Sequence, residues 1–186
     1  MEKEELNIIE HILDGDNRQY AILMDRYGQQ VFNLIFQMAG NQEDAEELTQ
    51  DTFLKAYQNL KRFKGESSFS TWIYRIAYNT TINTMRKKKY TCYVDEQQLT
   101  LLSDNQVDAL LDSDTEENCE NLRKAINQLD TKEKALITMF YEEEKSIKEI
   151  CEIIAETESN IKVKLHRIRY KLYLLIKGKK DETCKR

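Results

Sequence analysis

The sequence predicts an all-α protein made of two small helical domains joined by an acidic linker. The chain has 186 residues, with no proline and only 5 glycines. Proline breaks helix interiors and glycine loosens them, so their scarcity favours helix throughout. Apolar residues recur at steps of three and four along most of the chain, which is the period of a helix packed on one face. No alternating run is long enough to indicate a sheet.

The first two helices are predicted from apolar spacing and from the residues that interrupt it. A helix over residues 4–13 would carry one apolar face, formed by Leu6, Ile9 and Leu13. The dipeptide Gly15-Asp16 should end it, and Asn17 can cap a second helix. That helix should run to about Ala39, before Gly40. Its many large apolar residues indicate burial on two faces, and therefore a central position.

A third and a fourth helix complete the first predicted domain, residues 1–90. Asn41 can cap the third helix, which should run to about Lys61. Its core-facing residues share helical spacing: Ala45, Leu48, Thr52, Phe53, Ala56 and Leu60. The fourth helix should begin near Ser70 and end in a basic run at residues 86–89. The intervening loop contains a glycine and serines.

Residues 91–118 form the predicted acidic linker. The chain carries a net charge of −5, which argues mildly against a nucleic-acid partner. However, nine acidic residues lie between Asp95 and Glu120, a stretch without lysine or arginine. The acid is therefore concentrated in one block, and the rest of the chain has an excess of cations. Scattered leucines in the same block indicate a segment that docks on a partner.

The second predicted domain, residues 119–178, ends in a helix-turn-helix, with a polar tail at 179–186. Helices should resume from Cys119 and again from Thr131. Ser146 and Glu149 form a capping-box pattern for the first helix of the motif. Ala155-Glu156 is the expected turn, and Thr157 can cap the second helix. That helix carries one apolar stripe, formed by Ile161, Leu165, Ile168, Leu172 and Leu175.

The second helix of this motif carries mainly cations on its polar faces. They are Lys162, Lys164, His166, Arg167, Arg169 and Lys171, and the helix has no acidic residue between Ile161 and Lys177. A helix-turn-helix places such a helix in the DNA major groove. The pattern therefore favours DNA binding over the alternative, an ordinary solvated surface helix.

Several classes of protein are disfavoured. The chain shows no glycine-rich phosphate loop, no HExxH and no nucleophile with a plausible base, so no catalytic residue and no enzymatic activity is expected. Its four cysteines, Cys92, Cys119, Cys151 and Cys184, have no metal-ligand spacing, so reduced thiols and no metal or cofactor are expected. The acidic N-terminus and the lack of a long apolar run predict a cytoplasmic protein without membrane contact.

Two long segments resemble one protein family. Residues 44–89, DAEELTQDTFLKAYQNLKRFKGESSFSTWIYRIAYNTTINTMRKKK, closely resemble the second conserved region of extracytoplasmic-function (group IV) bacterial sigma factors. Residues 129–172, LDTKEKALITMFYEEEKSIKEICEIIAETESNIKVKLHRIRYKL, resemble their fourth region. The resemblance implies a protein that binds core RNA polymerase, recognises promoter DNA and helps to melt it.

The resemblance also implies a role for individual residues. The residues at the positions that dock on polymerase are Glu47, Gln50 and Asp51. The residues expected to hold the single-stranded −10 element, with one base flipped into a loop pocket, are Lys64, Gly65, Glu66, Ser67, Ser68, Arg75, Asn79, Asn83, Arg86 and Lys87. The residues expected at the duplex −35 element are Lys162, Val163, Lys164, His166, Arg167, Arg169 and Lys171.

Three further expectations accompany this interpretation. The family usually has a glycine in the helix-turn-helix turn, and Ala155 should resist a left-handed conformation, so a differently shaped turn is expected. Trp72 is expected to be a core residue, with base stacking as the alternative. An anti-sigma factor is a further expected partner. A stand-alone helix-turn-helix regulator remains the alternative function, although it leaves residues 44–89 unexplained.

Overall fold

The computed structural model describes residues 2–89 and 116–183, and its described side chains are those of residues 4–87 and 120–177. These residues contain no strand, and the predicted all-α class is confirmed. The α-helices of the described ranges are α1 (Glu2–Leu13), α2 (Tyr20–Ala39), α3 (Gln42–Gln58), α4 (Phe69–Lys89), α5 (Glu116–Ile126), α6 (Thr131–Ile137), α7 (Ile147–Ile154) and α8 (Glu158–Thr183). Among these residues, no helix is long and apolar enough to cross a membrane.

The buried face of α1 differs from the predicted one. Leu6 and Leu13 are each 42% exposed, so of the predicted apolar face only Ile9 is buried. The buried apolar residues are instead Ile8, Ile9 and Ile12. The face is rotated because it also includes the carboxylate of Glu5, which has partners on α2 and is therefore buried with these isoleucines.

A single 3-10 turn, Asn17–Gln19, precedes α2. Asp16 caps this turn by accepting a hydrogen bond from the Arg18 backbone N–H at 3.3 Å, so the prediction of Asn17 as the cap is wrong. Asp16 takes the role because the chain turns one residue earlier, at Gly15, whose φ of 108° is accessible mainly to glycine. The predicted end of α2 is confirmed, since Gly40 adopts a left-handed conformation there.

Helices α2, α3 and α4 pack against one another to form the core of the first half. The predicted core face is confirmed, because all six of its residues are buried: Ala45, Leu48, Thr52, Phe53 and Ala56 on α3, and Leu60 in the 3-10 turn Leu60–Arg62 that follows it. Asn41 caps α3 as predicted, by accepting a hydrogen bond from the Asp44 backbone N–H at 2.9 Å. Each large apolar side chain buried here contributes about 1.5–3 kcal/mol before entropy costs.

The helix-turn-helix consists of α7 and α8. The Ser146–Glu149 capping box at the start of α7 is confirmed. The turn follows directly, and Ala155 adopts the left-handed conformation there, with φ 61° and ψ 48°. The expectation of a differently shaped turn is therefore wrong, and the alanine adopts this conformation at a cost of about 1–2 kcal/mol. The apolar stripe of α8 faces the core through Ile161, Leu165, Ile168 and Leu172.

The two described halves, residues 2–89 and 116–183, pack against each other. Helix α2 lies against α6, and α4 lies against α7. The hydroxyl of the fully buried Tyr74 donates a hydrogen bond to Glu143 Oε2 at 2.8 Å. Lys145 Nζ donates to Ser70 Oγ at 2.6 Å and lies 4.5 Å from the centre of the Tyr74 ring. These four residues form what we call the contact between the halves.

The proposed domain boundaries remain predictions. Residues 91–115 of the predicted acidic linker lie outside the described residues, whereas its last part, from Glu116, belongs to α5. Of the predicted polar tail, residues 179–183 belong to α8, and residues 184–186 lie outside the described residues. α5 packs on α8, so the helix that follows the linker is part of the second half.

Candidate nucleic-acid interface

The loop between α3 and α4 borders a cavity of about 210 Å³, which we call the loop pocket. Four of the residues predicted to contact the −10 element line it: Gly65, Glu66, Ser67 and Ser68. The remaining lining residues are Glu5, Leu6, Phe63 and Phe69. Lys64 is not a lining residue, and its ammonium group lies 3.9 Å from the carboxylate of Glu66 in an exposed pair.

The loop has this shape because both of its ends are fixed. Ser68 Oγ accepts a hydrogen bond from the Thr71 backbone N–H at 3.1 Å, which caps α4. The rings of Phe63, Phe69 and Trp72 contact one another, with centroid separations of 5.3 to 5.8 Å. Gly65 adopts a φ of +70°, and a Cβ added there would lie 3.4 Å from the side chain of Leu6. The loop is therefore held close to α1.

Glu5 is a lining residue of the loop pocket that sequence reasoning missed. The residue is only 5% exposed. The Tyr27 hydroxyl donates to Glu5 Oε1, and Arg26 Nη1 donates to the same oxygen at 3.2 Å. Burial, followed by this bond to Glu5, raises the pKa of Tyr27. A signal was present in the sequence, because Glu5 lies at helical spacing from Ile8, Ile9 and Ile12 and is thus a carboxylate on an apolar face.

A wide groove of about 610 Å³, which we call the basic groove, runs between α3 and α4. It is lined by four of the predicted residues: Arg75, Asn79, Asn83 and Lys87. Arg86 is exposed but is not a lining residue. Trp72 also lines the groove and is half-buried against Phe63 and Phe69, so one ring takes part in both the core and the surface.

Helix α3 and the turn after it contribute three polar residues to the basic groove that sequence reasoning missed. They are Lys55, Asn59 and Arg62. Lys55 Nζ donates a hydrogen bond to Thr80 Oγ1 on α4 at 3.4 Å. Four cations line the groove, and none of its described lining residues is acidic. Such a concave surface attracts a phosphate backbone.

The predicted polymerase-docking residues lie on the outer face of α3. Glu47 and Gln50 are exposed, and the half-buried Asp51 lies 3.9 Å from Lys55. This face is opposite the buried residues Ala45 and Leu48. Two large apolar side chains, Leu54 and Tyr57, are exposed further along α3. They continue the helical spacing from Gln50, so an acidic and an apolar surface adjoin.

The predicted −35 residues occupy the polar faces of α8 and differ in exposure. Lys162, Val163, Lys164 and Arg167 are exposed, whereas His166, Arg169 and Lys171 are half-buried. Although α8 has no acid between Ile161 and Lys177, its three lysines of this set pair with acids from the first turn of α8, the preceding turn and α6. Glu158 lies 3.6 Å from Lys162, Glu156 pairs with Lys164, and Glu133 lies 2.6 Å from Lys171.

Among the described residues, no group of three or more histidine, cysteine or carboxylate residues is placed to hold a metal ion. Cys151 is a free, half-buried thiol on α7, and burial raises its pKa. The side chains of Cys92, Cys119 and Cys184 lie outside the described residues.

Comparisons with known proteins match both halves of the chain to one family. Sigma-70 region 2 matches residues 23–91, and Sigma-70 region 4 matches residues 119–172. The chain is 34% identical to ECF RNA polymerase sigma factor SigW of Bacillus subtilis, covering 87% of this chain and 90% of that protein. It is 33% identical to RNA polymerase sigma factor YlaC of the same organism, covering 81% and 87%.

Two solved structures share the fold. One is sigma factor RpoE from Bartonella quintana in complex with the anti-sigma factor NepR, with a TM-score of 0.65, 18% identity and coverage of 86% of this chain and 98% of that one. The other is CnrH in complex with the cytosolic domain of CnrY, with a TM-score of 0.63, 18% identity and coverage of 92% and 96%. At this identity the likeness concerns the fold alone.

Proposed function

This chain belongs to the extracytoplasmic-function RNA polymerase sigma factors, and we propose that it binds core RNA polymerase and directs transcription from specific promoters. The observation that carries the proposal is the adjacency of the loop pocket and the basic groove. Phe63 lines the pocket, Arg62 and Trp72 line the groove, and the three residues lie in one short stretch of chain. A strand held in the groove can therefore place one unstacked base in the pocket.

The −10 element is held as a single strand in this proposal. Lys55, Arg62, Arg75 and Lys87 contact phosphates in the basic groove, while Asn79 and Asn83 offer hydrogen bonds to bases. Arg86 and Lys64 add cations at the two margins. Flipping a base costs a few kcal/mol of unstacking. Contacts with Phe63, Phe69 and the serine hydroxyls of the pocket offset that cost.

The duplex −35 element is held by α8. The exposed residues Lys162, Val163 and Arg167 meet base edges, and the apolar Val163 suits a thymine methyl group. Lys164, Arg169, Lys171 and His166 hold the helix against phosphates. Because Lys162 and Lys164 are already paired with Glu158 and Glu156, the DNA must compete with those carboxylates for both lysines.

Core polymerase docks on the outer face of α3 in this proposal. Glu47, Gln50 and Asp51 meet basic groups of the polymerase, which sets register and association rate more than affinity. The adjoining Leu54 and Tyr57 supply apolar area. The acidic linker, residues 91–118, lies in a polymerase channel that later holds RNA, because its charge mimics nucleic acid. The protein acts in the cytoplasm, where transcription takes place, and an anti-sigma factor is a candidate regulator.

The alternative function, a stand-alone helix-turn-helix regulator, makes use of α7 and α8 alone. It assigns no role to the loop pocket or the basic groove. Gel filtration with purified core polymerase separates the two functions. A sigma factor should co-elute with core polymerase at one copy per enzyme, and a regulator should elute alone.

A double substitution, Gln50→Ala with Asp51→Ala, tests where polymerase docks. It should weaken co-elution without changing the circular dichroism spectrum, because both residues lie on an outward face. The matched control is Gln29→Ala with Gln30→Ala, two exposed residues of α2 outside the proposed surfaces. Unchanged co-elution of the Gln50/Asp51 variant would remove this face from the proposal.

A further inference from the structure

We propose that Glu5 is a specificity residue that accepts a hydrogen bond from an exocyclic amino group of the base in the loop pocket. The inference rests on the proposed function, because it assumes that a base enters this pocket. It assigns to α1, which lies outside both matched segments, a part in reading promoter sequence. The class of base it selects is cytosine, adenine or guanine, and the base it rejects is thymine.

The carboxylate of Glu5 is held in a fixed position. Its Oε1 accepts hydrogen bonds from the Tyr27 hydroxyl and from Arg26 Nη1, and the Tyr27 side chain is itself buried. Within the described part of the chain, Oε2 accepts no hydrogen bond. A buried carboxylate is costly unless its charge and lone pairs are satisfied. Arg26 offsets the charge, and Oε2 keeps an acceptor position open at the pocket that Glu5 lines.

The size of the loop pocket suits one base. Its volume is about 210 Å³, whereas an apolar protein cavity of about 150 Å³ is already enough for benzene. Phe63 and the almost fully buried Phe69 give the lining an aromatic part, and the hydroxyls of Ser67 and Ser68 can donate or accept hydrogen bonds. Glu5 is the buried carboxylate of this lining, while Glu66 is exposed to solvent.

The chemistry of an ionised carboxylate determines which base is favoured. It can only accept hydrogen bonds. Cytosine, adenine and guanine each carry an amino group, and pairing of a glutamate with the cytosine amino group is a familiar readout. Thymine has no amino group. It presents two carbonyl oxygens, and its single ring N–H lies between them. A fixed carboxylate therefore favours an amino-bearing base and repels thymine.

The variant Glu5→Gln reverses this chemistry without changing the shape of the side chain. The amide oxygen can keep the hydrogen bonds from Tyr27 and Arg26, which places the amide NH2 where Oε2 stood. The pocket then presents a donor instead of an acceptor. The wild-type protein should prefer an amino-bearing base over thymine by about tenfold or more, the effect of one hydrogen bond to a charged group. Glu5→Gln should abolish that preference or favour thymine.

The experiment uses the full chain assembled with core polymerase. Transcription from random-sequence templates first identifies the unpaired position with the strongest base preference. Four templates that differ only at this position, with A, C, G or T, are then compared. The matched control is Glu4→Gln, because exposed Glu4 pairs with the same Arg26 at 3.4 Å but is not a lining residue of the pocket. It should leave the preference unchanged.

A change on the DNA side keeps the test independent of how the variant folds. The selected base is replaced by an analogue that lacks the amino group. This should weaken open-complex formation by wild-type holoenzyme about tenfold, and should have little effect on Glu5→Gln, because the two changes remove the same bond. Wild-type selection of thymine, or a preference that Glu5→Gln and the analogue leave unchanged, overturns the assignment of Glu5. No transcription from any template overturns the proposed function itself.

Discussion

Removing the Tyr74 hydroxyl should destabilise the whole protein, because this group joins the two halves. Tyr74 is fully buried, and its hydroxyl donates to Glu143 Oε2 at 2.8 Å. A hydrogen bond to a charged group contributes about 1.5–3 kcal/mol. Glu143 is half-buried, so water can solvate part of its carboxylate after the change. The lower end of that range applies, and we expect Tyr74→Phe to lower the free energy of unfolding by about 1.5 kcal/mol.

Urea unfolding followed by circular dichroism measures this change. Tyr141→Phe is the matched control, because Tyr141 is 48% exposed and lies in the neighbouring π-helical turn, Thr138–Glu142. We expect the control to stay within about 0.5 kcal/mol of wild type. The double variant Tyr74→Phe with Glu143→Gln isolates the pair, and a coupling of at least about 0.5 kcal/mol is expected for residues in contact. Equal stabilities of Tyr74→Phe and the control would refute the contribution of the Tyr74–Glu143 hydrogen bond in solution.

Three other predictions follow from backbone strain, ion pairs and buried tyrosines. Ala155→Gly should raise the free energy of unfolding by up to about 1 kcal/mol, because glycine adopts the left-handed conformation of this position without the strain that alanine has there. A loss of stability would contradict the presence of backbone strain at Ala155. Lys164→Ala should lower DNA affinity and reduce the slope of log K against log salt by about 0.9. The control Lys124→Ala on α5 should change neither quantity. An unchanged slope for Lys164→Ala would remove Lys164 from the phosphate contacts. Burial raises the pKa of Tyr78 to about 12 and also raises those of Tyr20, Tyr27 and Tyr74. The unfolded chain therefore loses these protons first, and the thermal midpoint should fall as pH rises from 10 towards 12. A thermal midpoint that stays constant over this pH range would contradict the prediction.

Local sequence signals predicted the helices and their ends well. The caps at Asn41 and Ser146 and the end of α2 at Gly40 rest on side-chain or backbone geometry within a few residues, and all three are confirmed. Apolar spacing predicted the core face of α3 and the stripe of α8 because each face is long. It failed on the short α1, where Glu5 rather than Leu6 belongs to the buried face.

Features that depend on distant partners were not predictable from local patterns. The bond between Tyr74 and Glu143 spans 69 residues. The bonds from α2 that bury Glu5 span 21 and 22 residues. Lys55 joins the basic groove only because α3 packs on α4. Likewise, the acids that pair with Lys164 and Lys171 come from the turn and from α6, so the charge pattern of α8 alone gave no sign of them.

Transcription in vitro from random-sequence templates, with purified core polymerase and this protein, is the decisive assay of promoter-directed initiation. We expect transcripts that core polymerase alone does not make, starting downstream of a shared two-part sequence. One part should be read as duplex by α8 and the other as single strand by the basic groove and loop pocket. Output no greater than that of core polymerase alone, or transcripts without any shared upstream sequence, would contradict the account.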